Sequence, residues 1–260
     1  MIPDYPPAFW ICAFIAVPFV GIAKAGFGGG VGVLSTPLIA LTIPATDAAA
    51  IMLPILIACD VFAVNHYRMH FDRRSIKLLL PGALLGISAG ALFFGYFRDN
   101  QRVLQLGIGL LALSFVLFQT FHAVILGVLE KRRSPPAEGI LMGAISGFAS
   151  TLAHAGGPPV AMYLLPQKLS RDLFVGTTVI FFAAINLIKL IPYSLLGLFK
   201  AGNLVTILLL APLTYVGVRL GIYLNRRFTD LWFNRVVYIV LSLTGLQLLV
   251  GRNLLAMLFG

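Results

Sequence analysis

The feature that most constrains this chain is that it is written twice. Residues 26–68 recur in outline 121 positions later: Gly26-Phe27 matches Gly147-Phe148, Pro37 matches Pro158, Asn65 matches Asn186, and Lys189 stands where Arg68 did. After a ten-residue insertion in the second copy, Pro81, Gly86, Gly90 and Phe97 match Pro212, Gly217, Gly221 and Phe228. Few other positions agree, but punctuation and polar residues fall on common offsets. Duplicated apolar halves with glycine- and proline-broken segments at matching places are the pattern of a membrane transporter, whose substrate site lies where the copies meet.

Composition agrees with that class. Hydrophobic residues make up 59% of the 260 and charged residues 11%, with a mean hydropathy of +0.96; a soluble domain carries roughly 25% charge. The runs 8–23, 104–121 and 236–250 hold no charge and approach the ~20 residues that cross a bilayer. The expected class is therefore an all-α, polytopic membrane protein, one membrane domain over 1–260. The net charge of +10 does not indicate nucleic acid, because the basic residues sit in short loops between apolar runs and read as a topology signal. Residues 1–7 lack the basic start of a signal peptide. Cys12 and Cys59 lie in apolar runs and indicate neither a disulfide nor a metal site.

The apolar pattern predicts segments at about 8–24, 31–42, 48–67, 76–97 and 102–122, then 138–153, 157–165, 173–196, 203–225 and 233–251. The repeats run about 8–122 and 138–251, joined by a linker at about 123–137. Asp47 and Ser170 are the expected caps of the third segment in each half. Loops rich in Lys and Arg should be cytoplasmic. Alternation then places twelve basic residues inside (Arg68, Arg73, Arg74, Lys77, Lys131, Arg132, Arg133, Lys168, Arg171, Arg226, Arg227, Arg235) and four outside (Arg98, Arg102, Lys200, Arg252). The third segment runs inward in the first half and outward in the second. The halves are thus expected to be inverted, each a broken hairpin plus three transmembrane helices, with both termini external in an inner membrane. The segments at 31–42 and 157–165 are too short to span comfortably at 1.5 Å per residue.

Two glycine-rich breaks carry the functional signal. The first reads Lys24-Ala25-Gly26-Phe27-Gly28-Gly29-Gly30, the second His154-Ala155-Gly156-Gly157-Pro158-Pro159. Each would leave free N–H groups and a positive dipole end at the next short helix, which suits an anion; the plainer alternative is close helix packing. Packing is the expectation for Gly86, Gly90, Gly217 and Gly221. Lys24 near a hairpin tip either serves the anion or snorkels to a surface, and His154 is either a ligand or a structural residue. Asn65 with Arg68 and Asn186 with Lys189 place a donor and a cation on one helical face in each half, so inversion would bring the pairs to a common centre. Arg68 is alternatively just a basic loop residue. Asp60, the one acid well inside a span, is expected to carry a coupling proton, pair with a base or make a polar helix contact. His66 and His70 have a ligand spacing, but no Glu follows His66 and they sit in a basic loop, so no metal is expected. No cofactor is expected either.

The first break followed by Ser35-Thr36-Pro37, the Gly147-Phe148…Gly156-Gly157-Pro158-Pro159 pattern and the Asn-x2-Lys/Arg pairs resemble the TauE/SafE family of sulfite and organosulfonate exporters, over about 10–251. The resemblance implies a secondary carrier for sulfite, sulfoacetate or another small sulfur-containing anion, working in the export direction, with the lipid bilayer and a coupling proton or cation as partners; a homodimer is compatible with it. The expected substrate-binding set, from the residues themselves, is Lys24, Gly28, Gly29, Gly30, Asn65, Arg68, His154, Gly156, Gly157, Asn186 and Lys189. The rivals are an uptake carrier for another anion, an intramembrane enzyme, and a membrane receptor or scaffold; the enzyme lacks a nucleophile, base and orienting group in one place.

Overall fold

The computed structural model describes residues 5–27, 34–129, 135–200, 202–225 and 230–251, and among these there are helices and turns but no strand. The helices are α1 (Pro7–Phe27), α2 (Ser35–Ala40), α3 (Ala45–Tyr67), α4 (Arg73–Phe97), α5 (Gln101–Leu129), α6 (Pro136–Ala153), α7 (Gly157–Leu164), α8 (Arg171–Leu195), α9 (Asn203–Asn225) and α10 (Asp230–Val250). Among the described residues α1, α3, α4, α8 and α9 are long and apolar enough to cross a bilayer. The short helices α2 and α7 are mostly buried and too brief to cross.

Most bounds agree with the hydropathy reading. One does not: α5 continues to Leu129, where a linker was expected from 123. Residues 123–129 are uncharged and apolar, so nothing in them stops helix propagation before Glu130. The caps also differ. Pro44 occupies the N-cap of α3 and Asp47 lies in its first turn. Ser170 holds the N-cap position of α8, but its side chain makes no capping bond. A real cap occurs at α4, where Asp72 accepts from the N–H groups of Arg74 and Ser75 at 3.4 and 2.8 Å. Burial pushes the Asp72 carboxyl up, but the hydrogen bonds from Ser75 and Arg74 and the Arg74 charge outweigh it and hold the group below its ordinary 3.8.

Two glycine seams join the halves crosswise. Along α4 and α6, a Cβ on Gly82 would lie 1.9 Å from the Ile140 carbonyl oxygen, one on Gly86 1.9 Å from that of Ala144, and one on Gly90 2.9 Å from Thr151 Cβ. Contacts advance together along both chains, so the helices run parallel. Along α1 and α9, a Cβ on Gly217 would lie 2.3 Å from Pro18 O and one on Gly221 2.7 Å from Ile22 O; these helices are parallel too. Only glycine permits backbones this close. The four repeated glycines are therefore packing residues.

At one end of the bundle Tyr5 Oη donates to Asn203 Oδ1 at 2.5 Å and Lys200 Nζ lies 2.6 Å from Asp47 Oδ1, so the starts of α1, α3 and α9 meet. At the other end the Asp72 N–H donates to Thr177 Oγ1 at 2.8 Å and Ser75 Oγ donates to Gln167 Oε1 at 3.2 Å, so the starts of α4 and α8 meet beside the turn after α7. Helix α3 is central: it touches α1, α2, α5, α8 and α9, and Ile51, Met52, Leu53 and Ile55 are all buried. The stretch 48–59, enclosed by these neighbours, is apolar all round, while Val61 and Phe62 beyond it are exposed. Leu85, Leu92, Leu187 and Leu195 face outward, as suits a lipid solvent.

Candidate anion site

The polar residues of the core gather where α1, α3, α6 and α8 cross. Asp60 stands fifteen residues after the start of α3 and Asn186 fifteen after the start of α8, about 22 Å along each axis at 1.5 Å per residue. Asn186 Nδ2 donates to Asp60 Oδ2 at 2.8 Å, joining the halves. Lys24 Nζ, at the end of α1, forms an ion pair with Asp60 Oδ1 and donates to Leu56 O at 3.4 Å. Lys189 Nζ, one turn beyond Asn186, donates to Ser150 Oγ at 2.9 Å and Ser150 O at 3.1 Å. Lys189 is fully buried, Lys24 4% exposed and Asp60 5% exposed. Lys24 does not snorkel, and Asp60 has both a base and a helix contact as partners.

The backbone of the second break is held from three sides. Helix α6 ends at His154, whose φ of 55° is left-handed and lets its N–H return to Ser150 O at 3.0 Å. That reversal turns the imidazole to the core, where Nδ1 lies 3.2 Å from Thr36 Oγ1. The other ring nitrogen, Nε2, is buried with no hydrogen-bond partner. A donor or acceptor left so costs roughly 1–3 kcal/mol, which a ligand can recover. Ser146 Oγ donates to Gly156 O at 2.8 Å, and a Cβ on Gly156 would lie 2.6 Å from Ser146 Oγ. Helix α7 opens Gly157-Pro158-Pro159 with no side-chain cap. Prolines carry no N–H, so the orphan donors of this end are those of Gly156 and Gly157.

Not every expected residue joins the cluster. Asn65 and Arg68 lie on exposed positions at the C-terminal end of α3, so they do not meet Asn186 and Lys189 at a common centre. The reason is register. Tyr67 Oη donates to Ala25 O at 2.9 Å, and Tyr193 Oη donates to Thr151 O at 2.7 Å; each bond spans 42 residues, and each end of the second lies 126 positions after the first. Asp60 and Asn186 are likewise 126 apart. The flanking helices are thus related by 126, not 121. The shorter second break, between Ala153 and Gly157 against Phe27 and Ser35, displaces Pro158 toward the offset of 121, whereas Gly26 with Gly147 and Asn65 with Asn186 lie on the flanking helices and match at 121 without structural equivalence. Gly28, Gly29 and Gly30 lie outside the described residues.

Sequence reasoning missed Thr36, Ser146, Ser150, Thr151, Tyr67 and Tyr193. One signal was present. Asp60 and Asn186 are each followed seven residues later by a tyrosine, two helical turns on and so on nearly the same face.

The chemistry of the site is charge balance in a buried place. One carboxylate serves Lys24 and accepts from Asn186, while Lys189 finds only neutral acceptors. A buried ammonium without a counter-ion costs several kcal/mol, so an incoming anion would complete the set. Two hydroxyls do stand beside nitrogen bases, Ser150 Oγ with Lys189 Nζ and Thr36 Oγ1 with His154 Nδ1, but the surplus of donors over acceptors suits anion binding rather than bond cleavage.

No curated protein and no solved structure matches the chain. A family model does, over residues 13–248, nearly the whole length. The chain belongs to the sulfite exporter TauE/SafE family, whose members are membrane transporters and not enzymes.

Proposed function

We propose that this protein moves a small sulfur-containing anion, such as sulfite, sulfoacetate or another organosulfonate, outward across an inner membrane by alternating access. The observation that carries the reading is Lys189: a buried lysine with no carboxylate of its own, beside an unpartnered His154 Nε2. The substrate would lie among Lys189, Lys24, Asn186, His154 and the N–H groups of Gly156 and Gly157. A tetrahedral or pyramidal oxyanion offers several acceptors to such convergent donors. Asp60 would be the group that exchanges Lys24 for a coupling proton when the anion arrives.

Inverted halves suit this mechanism. The starts of α1, α3 and α9 meet at one end and those of α4 and α8 at the other, which supports opposite orientations of the two copies; the basic loops would then put both termini outside. Rocking of one half against the other would then expose the central site to each side in turn. The test is flux of labelled sulfite and sulfoacetate from proteoliposomes, with and without a pH gradient. Lys189→Ala should reduce flux at least tenfold while the protein still purifies as one folded species. Arg68→Ala, changed at an exposed position, should transport near the parental rate. Parental flux by Lys189→Ala would refute the assignment.

A further inference from the structure

Away from the central site, a surface cavity of about 410 Å³ opens between the first turns of α4 and the start of α6, lined by Arg73, Arg74, Lys77, Leu78 and Pro136. Three of its five lining residues are cations. Among the described residues no carboxylate forms an ion pair with any of them. Asp72, the nearest acid on the same helix, gives its oxygens to the N–H groups of Arg74 and Ser75. That capping also satisfies part of the α4 terminus, so recognition here falls to the side chains. Glu138, in the first turn of α6, does not line the cavity.

The other two lining residues choose the ligand. Leu78 and Pro136 are apolar and lie near the starts of α4 and α6, in the same cavity as the three cations. A free inorganic anion gains nothing from an apolar wall. An anionic phospholipid gains from both parts: its phosphodiester meets the guanidinium and ammonium groups, and the start of its acyl region meets Leu78 and Pro136. Guanidinium forks at Arg73 and Arg74 suit a phosphate's paired oxygens. We propose that this cavity is a binding site for the phosphate headgroup of an anionic phospholipid. The site fastens the α4–α6 seam to the membrane surface, and it is independent of what the carrier transports.

The experiment is lipid binding to the purified full chain in detergent, read by native mass spectrometry and by thermal unfolding, with phosphatidylglycerol, phosphatidylcholine and inorganic phosphate as separate probes. Phosphatidylglycerol should bind at one saturable site and raise the unfolding temperature; the other two should not. Each basic residue at an anionic surface is worth about fivefold, so Arg73→Gln/Lys77→Gln should bind phosphatidylglycerol about thirtyfold more weakly. These two side chains are exposed, and retained helix content shows that the variant folds. Arg98→Gln, at the far end of α4, should bind as the parent does. Equal response to phosphatidylcholine, or parental affinity in the double variant, overturns the proposal. A matching response to inorganic phosphate alone overturns the lipid assignment.

Discussion

Gly86→Ala tests the α4–α6 seam with a single methyl group. The added Cβ would lie 1.9 Å from the Ala144 carbonyl oxygen, 2.7 Å from its carbon and 2.8 Å from Phe148 N. Ordinary contact begins near 3.4 Å, so the helices must part by about 1.5 Å at that point. The obstacle is backbone, which cannot rotate away. Gly82, Gly143 and Gly147 sit in the same seam, with Cβ positions 1.9, 2.1 and 2.3 Å from carbonyl oxygens, so parting the helices loosens their contacts as well. Overpacking of this kind costs about 1–3 kcal/mol, and the shared seam argues for the upper end. Alanine returns about 0.5–1 kcal/mol as a better helix former. The net loss is about 2 kcal/mol, or about 4–8 °C in a chain of this size. Cys59 is fully buried, so a thiol-reactive dye in a Cys12→Ala background reports the unfolding temperature. Gly107→Ala is the control: nothing lies within 4 Å of its Cβ position, and stability should hold or rise slightly. If Gly86→Ala unfolds within 1 °C or so of its parent, the backbones are not in the contact described and the reasoning fails.

Two further outcomes follow from the polar groups. Asp60→Asn keeps an acceptor for Asn186 but leaves the Lys24 ammonium buried without a counter-ion, a loss of about 3–5 kcal/mol. Lys24→Met/Asp60→Asn should unfold at a higher temperature than Asp60→Asn alone, and a single variant as stable as the parent would contradict the ion pair. Asp72→Ala should lose about 1 kcal/mol of helix capping at neutral pH. The Asp72 carboxyl titrates below its ordinary 3.8, so its stabilisation is complete above that value and disappears as pH falls through the lowered one. Unfolding temperatures of parent and variant should therefore differ at pH 7 and converge in strong acid; a constant difference would remove Asp72 from the cap.

What the linear sequence determined is the set of choices a lipid solvent makes without reference to neighbours. Every backbone polar group must be satisfied inside the segment, so an uncharged run such as 104–121 is a helix whatever surrounds it, and the glycine and proline breaks mark where helices stop. Family membership was legible for the same reason, since it rests on those breaks. Lateral neighbours were decided only in three dimensions. Asn65 and Arg68 matched Asn186 and Lys189 by spacing, yet a five-residue difference in register puts Asp60 opposite Asn186 and leaves the other pair at the surface. The shorter second break displaces Pro158 without shifting the helices that flank it, so an alignment anchored on the break misplaces residues on those helices. Ser150 and Thr151 look like ordinary small residues of an apolar helix until α8 lies against them; their roles depend on an approach between backbones that the glycine seams allow and that no single segment encodes.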